Sequence, residues 1–502
     1  MTRLLASAAL AALLSSLPAA VLARDGVLDV VAPFEIKGPD PVLSGSVFIK
    51  MDVAETLVNA DAEGRLIPGL ALDWQPSGDG LEWRFRLREG VLFHDGTPFT
   101  AEAAASALNV ARAKPGLLET APITEITAED GTLIIRLSEP FAPLPAYLSE
   151  YRSLIYAPAA YAEDGSVTEI IATGAYRVTM LEPPLRLEAE AFVDHWDGAP
   201  TIDRVTYQAV GRAETRALMA ESGDADYVFN LDPASVSRLS GVDRVEVLSV
   251  SVPRSLLIKV NAGHPALDTP DARRALSLAI DRAGLAQAIL RYPAAADQIL
   301  PPSAGGWHSD AVEPLAHDPE AARALLAELG WTAGPDGILT REGQRLSLTL
   351  TTYPDRPELP LSAAVLQQMF ADIGVEMIID STNSSEIPVR HAEGTLDIAL
   401  IARNFALVPD PVGTFLTDYA PTGDWGAMNW QNDDFTALIR DLARGEGGQA
   451  ERDRAIAILQ AELPVIPVAW YQQNAAVSGA ITGAVLDPYE RTIGLRRIEW
   501  AE

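Results

Sequence analysis

Short apolar strand candidates alternate with capped helices along the second half of this 502-residue chain, and that alternation constrains the fold most. The strand candidates are Leu256–Val260, Leu346–Thr351, Val375–Ile379 and Leu396–Ile401. Between and beyond them lie helical stretches at Ala272–Leu285, His317–Gly330 and Ala455–Leu463. The stretch HDPEAARALLAELG shows why the helices are legible. Asp318 is the cap, Pro319 takes the first helical position, and Gly330 stops the run. Ala322, Leu325, Leu326 and Leu329 repeat at i, i+3, i+4 and i+7, which makes one buried stripe. Strands interleaved with such helices predict an α/β fold.

The first half carries the same grammar. LDVVAP (residues 28–33) is a strand candidate, and EWRFRLR (82–88) alternates at period two, with Trp83, Phe85 and Leu87 on one face. The arginines of the other face read as a solvated surface among carboxylates. His94-Asp95-Gly96-Thr97-Pro98 is turn chemistry, and Thr100 caps the alanine-rich helix that follows. The chain is too long for one core, so two or three domains are expected. There is no internal repeat and no low-complexity tether, which points to lobes joined by strands.

MTRLLASAALAALLSSLPAAVLA (1–23) reads as a signal peptide, with one cation, a short apolar run and small residues at its end. That run is too short to span a bilayer. The formal charge is −31, and removal of 1–23 takes away only Arg3, leaving −32. Such a field repels nucleic acid and anionic membrane. The absence of cysteine excludes a lipid-anchored terminus, disulfides and thiolate metal sites. Together these predict a periplasmic protein of a Gram-negative bacterium with no direct membrane anchor.

Catalytic signatures are missing: there is no HExxH, GxSxG, Walker loop or GxGxxG in strand–helix context. Six histidines are scattered without metal-ligand spacing, so no metal site and no cofactor are expected. A hydrolase built on Glu190 with Asp194, or on Asp424 with Asp433, is the rival from another class, and no spacing requires it. A scaffold that holds unfolded chains would need a broad apolar exposed surface.

VAETLVNADAEGRLIPGLALDWQPSGDGLEWRFRLREGVLFHDGTPFTAE (53–102) resembles the opening module of the large solute-binding proteins of ABC importers for peptides and nickel, family 5. ATGAYRV (172–178), NAGHPALDTPDARRALSLAIDR (261–282), HDPEAARALLAELGW (317–331) and ELPVIPVAWY (462–471) continue the resemblance in order. It implies a two-lobed, type II-like periplasmic binding protein of the large peptide-binding class. The first lobe would run over 24–256 with an extra subdomain and be completed by 478–502; the second would run over 257–477. It also implies a monomer that traps a small solute between its lobes and delivers it to an inner-membrane ABC permease.

Residues 384–415 look most like the nickel-binding branch. There, an arginine matching Arg152 grips the carboxylates of a small chelator, a cation falls at Lys114, and an arginine matches Arg403 with an aromatic at Phe405. The resemblance thus nominates Arg152, Lys114, Arg403 and Phe405; the residues add Arg390, beside His391 in a cleft-facing region, and Phe405, Trp425 and Trp430 as either an apolar wall or core. Read without the resemblance, Arg152 is a surface arginine paired with Glu150, and Arg403 equally braces Asp410. The chain departs from the branch, since no histidine follows Asp410-Pro411 and the pocket's Trp and Tyr positions become Leu117 and Pro388. It also lacks the aspartate that the dipeptide branch places just before that Asp-Pro step. The expected ligand is a small carboxylate-bearing solute, such as an oligopeptide, an opine-like conjugate or a metal chelate, with a nickel chelate as the alternative. Guanidinium suits it, being planar, always charged and able to hold a carboxylate through two hydrogen bonds.

Overall fold

The computed structural model describes residues 26–354, 356, 358–405, 408–420 and 423–501. The expected signal peptide lies outside the described residues.

A ten-stranded sheet runs through the molecule, in the order Glu376–Ser381, Ser347–Thr352, Ile398–Asn404, Val245–Val260, Val465–Ser478, Tyr227–Phe229, Val27–Ala32, Arg204–Ala209, Arg186–Ala191 and Tyr176–Glu182. The two central strands are long, at 16 and 14 residues, and antiparallel. They pair from Val245↔Ser478 to Ser251↔Gln472, lose register, and resume at Ser255↔Trp470. Pro253 cannot donate to a ladder, which fits a break at this point. On one side of the break the partner sheet belongs to the first lobe; on the other, Arg254–Val260 pairs with Ile398–Asn404 of the second.

Parallel strands flank this crossing in both lobes. Val27–Ala32 is parallel to Arg204–Ala209 and Tyr227–Phe229, and Ser347–Thr352 is parallel to Glu376–Ser381 and Ile398–Asn404. The helices Pro270–Leu278, Pro319–Glu328, Glu358–Asp372 and Gln449–Glu462 bury apolar faces in the second lobe's core. Asp318 caps its helix by accepting from the amides of Glu320 and Ala321, while Ala322 and Leu326 are buried. The helix expected over Ala272–Leu285 is instead two pieces. Pro270–Leu278 ends, and Asp281 caps a new turn at Arg282–Leu285. Arg282 is drawn inward to donate to the carbonyls of Pro467 and Ser277, a tertiary demand that breaks the local pattern.

The first lobe carries a four-stranded antiparallel subdomain, ordered Ala71–Pro76, Glu82–Leu87, Thr132–Leu137, Ile123–Glu129. Trp83, Phe85 and Leu87 are buried, whereas Arg84 and Arg86 are exposed and pair with Glu82 and Asp73. The arginine row is therefore a solvated, carboxylate-laced face. His94 stands in a tight turn, with Thr97 donating its amide to Asp95 at 2.9 Å. The ring is buried beside Phe192 and bonds the carbonyl of Gly174 at 2.9 Å. Burial holds its pKa down at about 4. FHDG is a strand–turn–helix joint, not catalytic machinery.

The lobes also touch away from the crossing strands. Ala142 donates to the carbonyl of Ala443 at 2.6 Å, and Val408 packs into the core of the small subdomain.

Candidate binding site between the lobes

In open α/β sheets the crevice outside the carboxyl ends of parallel strands is where ligands bind. Here the ends of Val27–Ala32, Arg204–Ala209 and Tyr227–Phe229 face those of Ser347–Thr352 and Ile398–Asn404 across the crossing strands. A cavity of about 610 Å³ opens there, its wall including Asn230, Arg254, Arg356, Glu358, Tyr471 and Gln473. That size suits a solute of a few residues.

The first lobe's lip is fixed by Arg216, whose side chain is buried. It donates to the carbonyls of Val210 at 2.7 Å and Gly211 at 2.8 Å, and also to that of Asn230. It thereby clamps the ends of two strands together. Asn474 ties the second crossing strand to the same lip, accepting from the amide of Leu231 at 2.7 Å.

Arg254 enters the cavity from the register break and pairs with Glu490 at 2.7 Å. Its guanidinium lies 5.8 Å from the centroid of Tyr471. Arg356, just beyond Ser347–Thr352, lies 5.6 Å from the same ring. Its guanidinium makes no ion pair and no hydrogen bond among the described residues. The hydroxyl of Tyr471 donates to Glu358 at 2.6 Å, and burial raises that phenol's pKa well above normal. Lys50 stands nearby, its ammonium 5.7 Å from the Phe34 ring and 5.9 Å from that of Phe229. Burial lowers the Lys50 pKa, opposed by Glu490 and Asp487. Burial alone would raise the Glu490 carboxyl, but Arg254 and Lys50 hold it below the usual range.

The residues nominated from the sequence are placed differently. Arg152 donates to Glu150 at 2.9 Å and lies over the Tyr151 ring at 4.8 Å. Burial raises Glu150 to a pKa of about 7 against the pull of Arg152. Lys114 is paired with Asp40 at 2.6 Å, and both cations border a small notch within the first lobe rather than the interlobe cavity. Arg403 grips Asp418 through two hydrogen bonds, at 2.6 and 3.1 Å, so Asp418 and not Asp410 is the carboxylate it braces. Phe405 is in the second lobe's core, 2% exposed and 5.9 Å from Phe415, so its ring does not face the cavity. Trp425 packs half-buried against that core, and Trp430 donates to Glu462 at 2.5 Å. Arg390 is tied to Asp380 and Thr351. Among the acid pairs, Glu190 is engaged by Arg177, and Asp433 lies in the first turn of its helix. Among the described residues no group of three or more His, Asp or Glu side chains is arranged to hold a metal ion.

Sequence reasoning missed Lys50, Arg254, Arg356 and Glu490. The available signal was position: Arg254 follows a proline inside a strand, and Arg356 sits in YPDRPEL directly after a strand's carboxyl end.

The model of the bacterial extracellular solute-binding proteins, family 5, matches residues 65–426. The glutathione-binding protein GsiB of Escherichia coli K12 is 26% identical over 377 residues, covering 73% of this chain and 71% of that protein. Its counterpart from Escherichia coli O1:K1 is 27% identical over 339 residues, and the match spans 64% of that relative's length. Among solved structures, a nickel ABC transporter protein from Bacillus halodurans superposes with a TM-score of 0.81 at 25% identity, covering 94% of this chain and 99% of that one. The oligopeptide-binding protein AppA from Bacillus subtilis, in complex with a nonapeptide, gives 0.75 at 17% identity over 95% and 99%, a likeness of fold. Sequence, two-lobed architecture and interlobe crevice agree, and the chain belongs to the bacterial extracellular solute-binding proteins of family 5.

Proposed function

We propose that this protein is the capture component of an ABC importer: it closes on a small carboxylate-bearing solute and presents it to an inner-membrane permease from the periplasm. The observation that carries this reading is Arg356, a cation without a carboxylate partner among the described residues, opening into a solute-sized cavity between two lobes. The ligand's carboxylate takes two hydrogen bonds from that guanidinium. Closure is favoured only by contacts the solute makes in the closed form and not in the open one. The relatives support a peptide-like cargo, since GsiB is named for glutathione and AppA was solved with a nonapeptide. Among the described residues the cavity wall offers no histidine to a nickel ion, so a metal chelate would be held through its organic carboxylates. Stoichiometric retention without turnover is expected of a site that shows ion pairs and, among the described residues, no nucleophile–base pair.

The test is a thermal-shift and calorimetric screen of short peptides, glutathione and opines on the wild type and on Arg356→Ala. The variant is expected to weaken binding of the hit by about 1.5–3 kcal/mol, the range of a charge-assisted hydrogen bond. An unchanged affinity dismisses Arg356 as the anchor.

A further inference from the structure

Among the described residues the cavity wall carries three guanidinium groups, Arg216, Arg254 and Arg356, and three carboxyls, Glu214, Asp232 and Glu358. Arg216 is engaged by backbone carbonyls and Arg254 by Glu490, which is itself not part of that wall, so Arg356 is the lining guanidinium with no carboxylate partner among the described residues. Glu490, the partner of Arg254, is unusual in its backbone. It is a non-glycine residue with a left-handed backbone, at φ 57°. L-residues adopt that region at a cost, and such strain persists where the surroundings enforce it.

The surroundings here are a pinned loop. Asp487 accepts from the amides of Tyr489 at 3.0 Å and Arg491 at 2.9 Å. Arg491 reaches to the short strand Val58–Ala60, donating to Asn59 at 2.7 Å and to the carbonyl of Ala60. Tyr489 crosses to the other lobe and donates to the carbonyl of Ser303 at 3.2 Å. The carboxylate of Glu490 is thus delivered to Arg254 by a rigid arm, in a pair whose side chains are only 15% and 16% exposed. Its charge is already compensated by Arg254 and Lys50, which hold the carboxyl below the usual range, so Glu490 is not placed to read an amine.

We propose that Glu490 is the residue that sets the charge specificity of the cavity: it occupies Arg254, leaves one guanidinium for the solute, and so admits a single carboxylate at this end while excluding dianions. The inference rests on the interlobe reading of the site and assigns to it a substrate class, solutes with one carboxylate rather than a sulfate, phosphate monoester or paired carboxylates. Removing the charge of Glu490 frees the Arg254 guanidinium beside that of Arg356, the two lying 5.8 and 5.6 Å from the Tyr471 ring, which is a site for a dianion.

Inorganic sulfate is the probe, with thermal unfolding followed in sodium sulfate against sodium chloride at matched ionic strength. Glu490→Gln is expected to show about ten-fold tighter apparent sulfate binding than the wild type, the worth of one charge-assisted hydrogen bond. The double variant Arg254→Gln/Glu490→Gln returns to the wild-type response. Glu490→Asp withdraws the charge by one methylene, gains less, and gives the same reading should the amide variant fail to fold. Equal sulfate responses in all these proteins overturn the inference. Because the probe is not the solute, that failure is separate from a failure of Arg356→Ala to affect solute binding.

Discussion

Arg254 and Arg356, one on a crossing strand and one on the loop after Ser347–Thr352, share the ring of Tyr471, at 5.8 and 5.6 Å from its centroid. Both guanidinium groups stand on the second lobe's side of the register break, and a single aromatic face positions both.

Tyr471→Leu removes that face. Each cation–π contact is worth about 0.5–1 kcal/mol at a partly exposed site, so solute affinity falls by about 1–2 kcal/mol. Tyr471→Phe keeps the ring, loses only the bond to Glu358, and weakens binding less. Calorimetry on both variants separates the ring from the hydroxyl.

Arg152→Ala distinguishes the structural placement from the family's arginine. Glu150 is fully buried and depends on Arg152 for its counter-charge. Its loss strands a buried acid and costs about 1–3 kcal/mol of stability, read from urea unfolding. Because Arg152 borders the notch and not the cavity, solute affinity changes by less than about 0.5 kcal/mol, as for a substitution outside the site.

Lys259 is buried in the first crossing strand and donates to the carbonyls of Gly423 and Gly426. Burial lowers its pKa from 10.5 to about 7, in spite of Asp418 and Asp424. Above pH 7 the unfolded chain therefore binds more protons at this residue than the folded one, so its contribution makes stability rise with pH towards 10. Urea midpoints at pH 7 and 9 are expected to show that rise in the wild type and a smaller one in Lys259→Met. The same slope in both proteins contradicts the assignment.

Local grammar was legible wherever local forces decide. The caps at Thr100 and Asp318, the alternation of EWRFRLR and the turn at Asp95-Gly96 are all set by neighbours within a few residues. Arg282 was not legible as a helix interruption, because the carbonyl of Pro467 that draws it inward lies on a distant strand. The site failed for the same reason. Arg403 meets Asp418, and Arg254 meets Glu490, through chain reversals that no spacing reveals. Phe405 has the composition of a ligand wall, yet its amide bonds the carbonyl of Pro253 and its ring turns into the core.

A crystal structure of the protein with the solute that co-purifies with it decides whether Arg356 is the anchor. A carboxylate is expected within hydrogen-bonding distance of the Arg356 guanidinium, inside the interlobe cavity. A solute held by Arg152 and Lys114, with Arg356 facing solvent, would contradict it.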